Sequence, residues 1–129
     1  MGHLVTERPL IYVASPLSDM PINYIEWLGI MNNEALLLFD LGWAPIIPGN
    51  DFLFFYRSPR KLSMDDILSI DREYIRASWA IRVIAERHHD GRVSAGVAHE
   101  IEFAESLSKP ICRTGGEVYD AYAEWQAQM

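Results

Sequence analysis

The residues Ser94-Ala-Gly-Val-Ala-His-Glu100, SAGVAHE, set small, flexible residues directly before a carboxylate at the start of an amphipathic helix. A glutamate about one turn into a helix lies near the positive end of its dipole, which favours the ionised form and aims it at the preceding loop. Helix-start chemistry alone accounts for an acid there, so a catalytic role requires a partner. Asp71, within SIDREYIRAS, is the second carboxylate. It stands in mid-helix, where Asp has poor propensity and is ordinarily a solvated surface residue. If Asp71 and Glu100 face one cavity, they meet the requirement for cleaving a glycosidic bond. One acts as nucleophile, the other as acid or as stabiliser of an oxocarbenium-like transition state. Tyr12 either belongs to the core or presents its hydroxyl beneath that centre. Ser94 and Gly96, at a helix N-terminus, form a cradle for an anion or a hydroxyl.

Other chemistries find less support. There is no G-x-G-x-x-G, and the SAGVAHE loop is short and lacks the lysine of a P-loop, which disfavours dinucleotides and nucleoside triphosphates. His88, His89 and His99 show no paired metal-ligand spacing, so no metal site and no cofactor are expected. Ser15 is not in a nucleophile elbow.

The elements that must position these residues alternate along the chain. LIYVAS (10–15) reads as a buried first strand. In INYIEWLGIMNNEALLLFDLG, the residues Ile25, Leu28, Ile30, Leu36 and Phe39 recur at roughly helical spacing, and Gly42 fits a C-cap. WAPIIP is a second strand whose prolines put it near an edge or make it very brief. GNDFLFFYRSPRK is an aromatic loop that lines a pocket, covers a partner or caps the core. Ser63 opens a helix with Asp66 three positions on, an imperfect capping box. WAIRVIA is a third strand, a helix runs from about Val97 to Leu107, KPICR is a fourth strand, and EVYDAYAEWQAQM a last helix.

Short apolar strands alternating with helices predict a parallel sheet covered on both faces, a small doubly wound α/β domain. Its ligands belong at the carboxyl ends of the strands. The loops from Ser15, from Gly49 and from Glu86 should converge there. That makes Ser15, Pro16, Asp51 and Phe52 candidate substrate-binding residues beside Ser94 and Gly96.

Composition sets outer bounds. The 129 residues fit one domain spanning 1–129, and half of them are apolar, which argues against disorder. A formal charge of -7 disfavours polymeric nucleic acid and anionic membranes as partners, though a small phosphorylated ligand is still possible in a local nest of N–H groups. A lone cysteine, Cys112, excludes an internal disulfide and reads as a small buried hydrophobe. No apolar run approaches the ~20 residues that span a bilayer. With no signal-peptide core in MGHLVTERPL, a cytoplasmic location is the expectation.

These segments, in this order, resemble the nucleoside 2-deoxyribosyltransferase-like superfamily. IYVASPLS resembles its first strand and loop, and IIPGNDF its second strand and pocket loop. DREYIRASWAIRVIA resembles its Asp-bearing helix and third strand, and SAGVAHEIEFAESLSKPI its signature S-x-G-x-x-x-E-x-x-x-A. The likeness runs from Leu10 to Cys112 and is closest to small phage and bacterial domains related to deoxyribonucleoside 5'-monophosphate N-glycosidases. It implies a three-layer Rossmann-like (flavodoxin-like) parallel sheet of four to five strands with helices on both faces. It further implies a homodimer or higher homo-oligomer acting on a small nucleoside or nucleotide.

By the same resemblance Glu100 is the nucleophile attacking the anomeric carbon, Asp71 assists at the base or sugar, and Tyr12 lies near the sugar. Ser94 and Gly96 hold the sugar or a 5'-phosphate. Pro16 and Ser18 stand where the nucleotide hydrolases carry Ser and Arg, which leaves Arg57, Arg60 or Arg92 as substitutes for phosphate binding. Arg82 interrupts the apolar third strand. The leading expectation is an N-glycosidic-bond enzyme, hydrolase or deoxyribosyltransferase, working through a covalent glycosyl-enzyme. Its rivals are a non-catalytic nucleotide-sensing module of the same fold, and an interaction domain using Phe52–Tyr56 and Trp125 as a surface.

Overall fold

A computed structural model describes residues 7–16, 21–51, 54, 55 and 58–129, with the backbone course alone for 21–24. Alternation along the first strand decides the layering. In β1 (Leu10–Ala14), Ile11 and Val13 point to one face of the sheet and Tyr12 and Ala14 to the other, and all four are buried. Both faces must therefore be covered by helices. The first is closed by α1 (Pro21–Leu41) and α4 (Gly115–Ala127), through Met31, Leu38, Val118 and Ala121. The second is closed by α2 (Met64–Ala77) and α3 (Ala95–Ser106), through Ile75, Val97, Ile101 and Ala104.

The sheet has four parallel strands in the order β2-β1-β3-β4, with β2 at Ala44–Ile46, β3 at Ala80–Val83 and β4 at Ile111–Cys112. This is the doubly wound, flavodoxin-like three-layer arrangement expected. The chain leaves β1 toward β2 on one side and reaches β3 on the other, so the topological switch point falls at the carboxyl end of β1. β2, with Pro45 as its middle residue, is both an edge strand and only three residues long.

Arg82 has a local explanation. It faces the α1 side of β3, where its Nε donates to Glu34 Oε1 at 2.6 Å and its Nη1 donates to the Val83 and Cys112 carbonyls. The charge that interrupts the strand is thus neutralised by α1. Cys112 is buried, and burial pushes its thiol up to about 11, so it is an inert core residue.

The face that α1 buries differs from the expected one. Trp27, Met31, Ala35 and Leu38 face the core, whereas Ile25, Ile30, Leu36 and Phe39 are exposed. Apolar residues stand all round this helix, so several stripes fit a helical period equally well and only the sheet selects among them. The helix ends in a Schellman motif, with Gly42 N–H donating to Phe39 O and Trp43 N–H to Leu38 O. Gly42 has φ +118°, and a Cβ there would run into the Tyr122 ring. Gly29, inside α1, has open space around it. We predict that Gly42→Ala lowers stability by roughly 1–2 kcal/mol, while Gly29→Ala raises it by about 0.5–1 kcal/mol. Urea denaturation of the two variants beside the wild type checks both signs.

Candidate active site

Each candidate side chain is delivered by the apolar pattern of its own element. Tyr12 sits mid-strand in register with Ile46 on one side and Ile81 on the other, so its ring lies in the α2/α3 layer with no exposure at all. On α2 the buried residues Ile67 and Ile75 bracket Asp71 at four-residue steps, which turns Asp71 toward the sheet. On α3, Glu100 shares the inward side with Val97, Ile101 and Ala104. The loop before α3 folds back on itself: Ser94 N–H donates to Glu86 O, Arg87 bridges Val93, and Gly91 takes φ +92° in the turn. This fixes Ser94 as the N-cap, its Oγ accepting from Val97 N–H at 3.2 Å.

The two carboxylates meet at the Tyr12 hydroxyl. That hydroxyl donates a hydrogen bond to Glu100 Oε2, and Asp71 lies within reach of the same oxygen. Asp71 Oδ1 is buried with no hydrogen-bond partner. Burial, opposed by the Tyr12 contact and reinforced by Asp51, pushes the Asp71 carboxyl up to about 7. Burial, again opposed by Tyr12 and reinforced by Asp71, pushes Glu100 up to about 8. The Tyr12 phenol is driven well above its ordinary range by burial and by both carboxylates, so it stays a donor. Two carboxyls so displaced share protons around neutrality, the condition under which one acts as an acid while the other is an anion.

Ser15, at the carboxyl end of β1, is buried with its Oγ unpartnered, and Pro16 is fully buried behind it. A Cβ on Gly96 would meet only Ser94 Oγ at 3.9 Å, so nothing within the described chain requires glycine there. Asp51 ends the 3-10 turn Pro48–Asp51 after β2, and its Oδ2 accepts from the Tyr74 hydroxyl at 2.9 Å. Phe52 and Arg57 lie outside the described residues. Arg60 is exposed, and Arg92 donates to Asp90 Oδ2 at 2.6 Å.

Two features escaped the sequence reading. Tyr74, one turn beyond Asp71, brings Asp51 against α2. Trp27 of α1 stacks on His89 at 4.8 Å, and His89 Nε2 lies 3.5 Å from Glu26, which ties the loop before α3 to the start of α1. His99 accepts from the Arg72 guanidinium at 3.2 and 2.7 Å, which puts its own proton on Nδ1. Among the described residues no group of three or more His, Cys, Asp or Glu is arranged to hold a metal ion. A surface hollow of about 380 Å³ above Arg82 and Glu34 lies between α1 and α4, across the sheet from Tyr12. It does not touch the carboxylate cluster.

No family model matches the chain, and no curated protein matches it. Among solved structures, it is similar to the 2-desoxiribosyltransferase from Leishmania mexicana, with a TM-score of 0.58 at 23% identity. The match covers 80% of this chain and 61% of that one. The chain thus shares the α/β fold of a deoxyribosyltransferase while spanning about three-fifths of its length. No helix among the described residues is long and apolar enough to cross a membrane.

The shared burial has a thermodynamic consequence. Between about pH 4 and pH 8 the folded protein holds protons on Asp71 and Glu100 that the unfolded chain has released. Stability therefore falls as pH rises through that window. The melting temperature of the wild type is expected to drop between pH 5 and pH 9. The double variant Asp71→Asn/Glu100→Gln should lose most of that slope and be the more stable protein at pH 9. Parallel slopes for the two proteins would show that these carboxyls are not buried together.

Proposed function

We propose that this chain cleaves the N-glycosidic bond of a nucleoside or nucleoside 5'-monophosphate. The observation that carries the reading is the Tyr12 hydroxyl, in the central strand, at the junction of two largely shielded carboxylates. The fold likeness to a deoxyribosyltransferase and the S-x-G-x-x-x-E pattern at Ser94–Glu100 support it.

In the reaction Glu100, as the anion, attacks the anomeric carbon through one carboxylate oxygen. The C–N bond breaks as the C–O bond forms, its electron pair passes to the base nitrogen, and the base takes a proton from Asp71. The Tyr12 O–H steadies the attacking carboxylate and orients it toward the ring. In the second half, water or another base attacks the same carbon, gives its proton to the now ionised Asp71, and releases Glu100. Water as acceptor makes the enzyme a hydrolase, and a second base makes it a transferase. Ser15 Oγ, buried and unpartnered, and the open face of Gly96 at the α3 N-terminus receive the sugar hydroxyls or a 5'-phosphate.

The test is release of free base, read by chromatography, from deoxynucleosides and their 5'-monophosphates, with and without a second base. Glu100→Ala is expected to lose on the order of 1,000-fold or more in kcat/KM, and Tyr12→Phe on the order of 10- to 100-fold. Full activity in Glu100→Ala, or no release from any substrate by the wild type, would end this reading. Gly96→Ala separates fold from function. It should leave stability unchanged or higher by about 0.5–1 kcal/mol, while KM rises because the methyl group stands where substrate must approach. A Gly96→Ala enzyme with wild-type KM would remove Gly96 from the binding surface.

A further inference from the structure

The arginine side chains differ in the partner they meet. Arg76, Arg82, Arg92 and Arg113 each meet a carboxylate. Arg72 meets an imidazole instead, its Nε and Nη2 both facing His99 Nε2 at 3.2 and 2.7 Å. Its guanidinium carbon also stands 6.0 Å from the centre of the Phe103 ring, one turn further along α3. Guanidinium finds its strongest partners in carboxylates, which accept two parallel N–H bonds. Two are adjacent in the sequence, since Asp71 precedes Arg72 and Glu100 follows His99. Arg72 goes to neither. Consecutive helical residues point about 100° apart, so Arg72 leaves α2 turned aside from Asp71, and His99 leaves α3 turned aside from Glu100. The Phe103 face then draws the cation along α3, away from the end capped by Ser94.

We propose that His99 is a positioning residue that holds the Arg72 guanidinium away from the carboxyl pair, so that Asp71 and Glu100 keep no cationic partner. The inference rests on the glycosidic reading above and adds to it the means by which the pair stays free to exchange protons. A guanidinium set between two carboxyls favours the charged form of both. The pair would then lose the proton that the departing base requires, and the nucleophile would be held in an ion pair. The groups that act on the pair in the structure are Tyr12 from β1 and Asp51 from the turn after β2, with Asp71 acting on Glu100. His99 is faced by Arg72 from α2, and both side chains are half-buried. His99 as acceptor and Phe103 as aromatic face are the contacts that fix where the Arg72 charge lies.

The test is a mutant cycle read by carbon NMR of the Asp71 and Glu100 carboxyls, assigned through Asp71→Asn and Glu100→Gln. His99→Leu removes the acceptor and frees Arg72. The apparent midpoints of the pair are expected to fall by about one pH unit or more in this variant. Adding Arg72→Leu to His99→Leu should return them to the wild-type values, because no guanidinium is left to intrude. His99→Gln, whose amide oxygen still accepts from Arg72, should hold the wild-type midpoints. In base release, kcat at neutral pH should fall about tenfold in His99→Leu, with the alkaline limb of the pH profile moved to lower pH. Both effects should reverse in the double variant. Midpoints unmoved in His99→Leu overturn the proposal. So does a shift that persists in the double variant, the mark of a contact that only packs α2 against α3. The titrations judge His99, and base release by the wild type judges the glycosidic reading, so the two failures are distinct.

Discussion

One phenol at the floor of the molecule organises everything above it. Tyr12 is fully buried in the central strand, yet its hydroxyl must find a partner, because an unsatisfied buried O–H costs on the order of 1–3 kcal/mol. The partner is Glu100, reached from a strand 88 residues earlier in the chain. That contact ties the third helix to the first strand and fixes the height of the glutamate above the sheet. It also brings Asp71 of the second helix to the same oxygen. Three elements thus meet at one hydroxyl, and the site is a condition of how the α2/α3 layer packs.

The sheet order sets this meeting beside the topological switch point, where ligands of doubly wound sheets bind. With β1 central and the chain leaving it in opposite directions toward β2 and β3, the helices and loops diverge above its carboxyl end. Ser15 ends the strand there, the turn carrying Asp51 approaches from the β2 side, and Ser94 caps α3 from the β3 side. The Trp27–His89 stack and the Glu26 contact hold the loop before α3 against α1 on the other face of the strand. Different connections therefore surround the carboxyl end of the strand, while helices carry the two carboxylates.

How much of this was legible in the sequence follows from the kind of interaction involved. The strand–helix alternation was readable because short apolar runs bounded by Gly, Pro and Ser are local signals, and the capping box at Ser63 and Asp66 formed as its spacing suggested. Glu100 stood out because the loop before it did. Asp71 looked like a surface residue only when its propensity was considered alone. Its place between Ile67 and Ile75 on one helical stripe was the better signal, and it pointed inward. The buried face of α1 was misjudged because Ile25, Ile30, Leu36 and Phe39 are as apolar as the residues that do face the sheet. The Asp51–Tyr74 contact joins residues 23 apart across two elements, and no local pattern encodes such a pairing.

The strongest argument that the cluster is functional is a comparison within the same molecule. Glu34, mostly shielded on the α1 face, is met by the guanidinium of Arg82 at 2.6 Å, the ordinary way a fold accommodates a shielded carboxylate. On the opposite face Asp71 and Glu100 are set close together and receive no cation from the described residues. Burial, with the charge of Asp51 beside Asp71 and of Asp71 beside Glu100, instead raises both carboxyls toward neutrality. Apolar side chains at these two positions would complete the core and remove that penalty, since each stands on a stripe of Ile, Val and Ala. A chain that neutralises a carboxylate on one side of its sheet, and on the other sets two together with no cation among the described residues, accepts a cost to the stability of its fold, and that cost supports the proposed role of the pair.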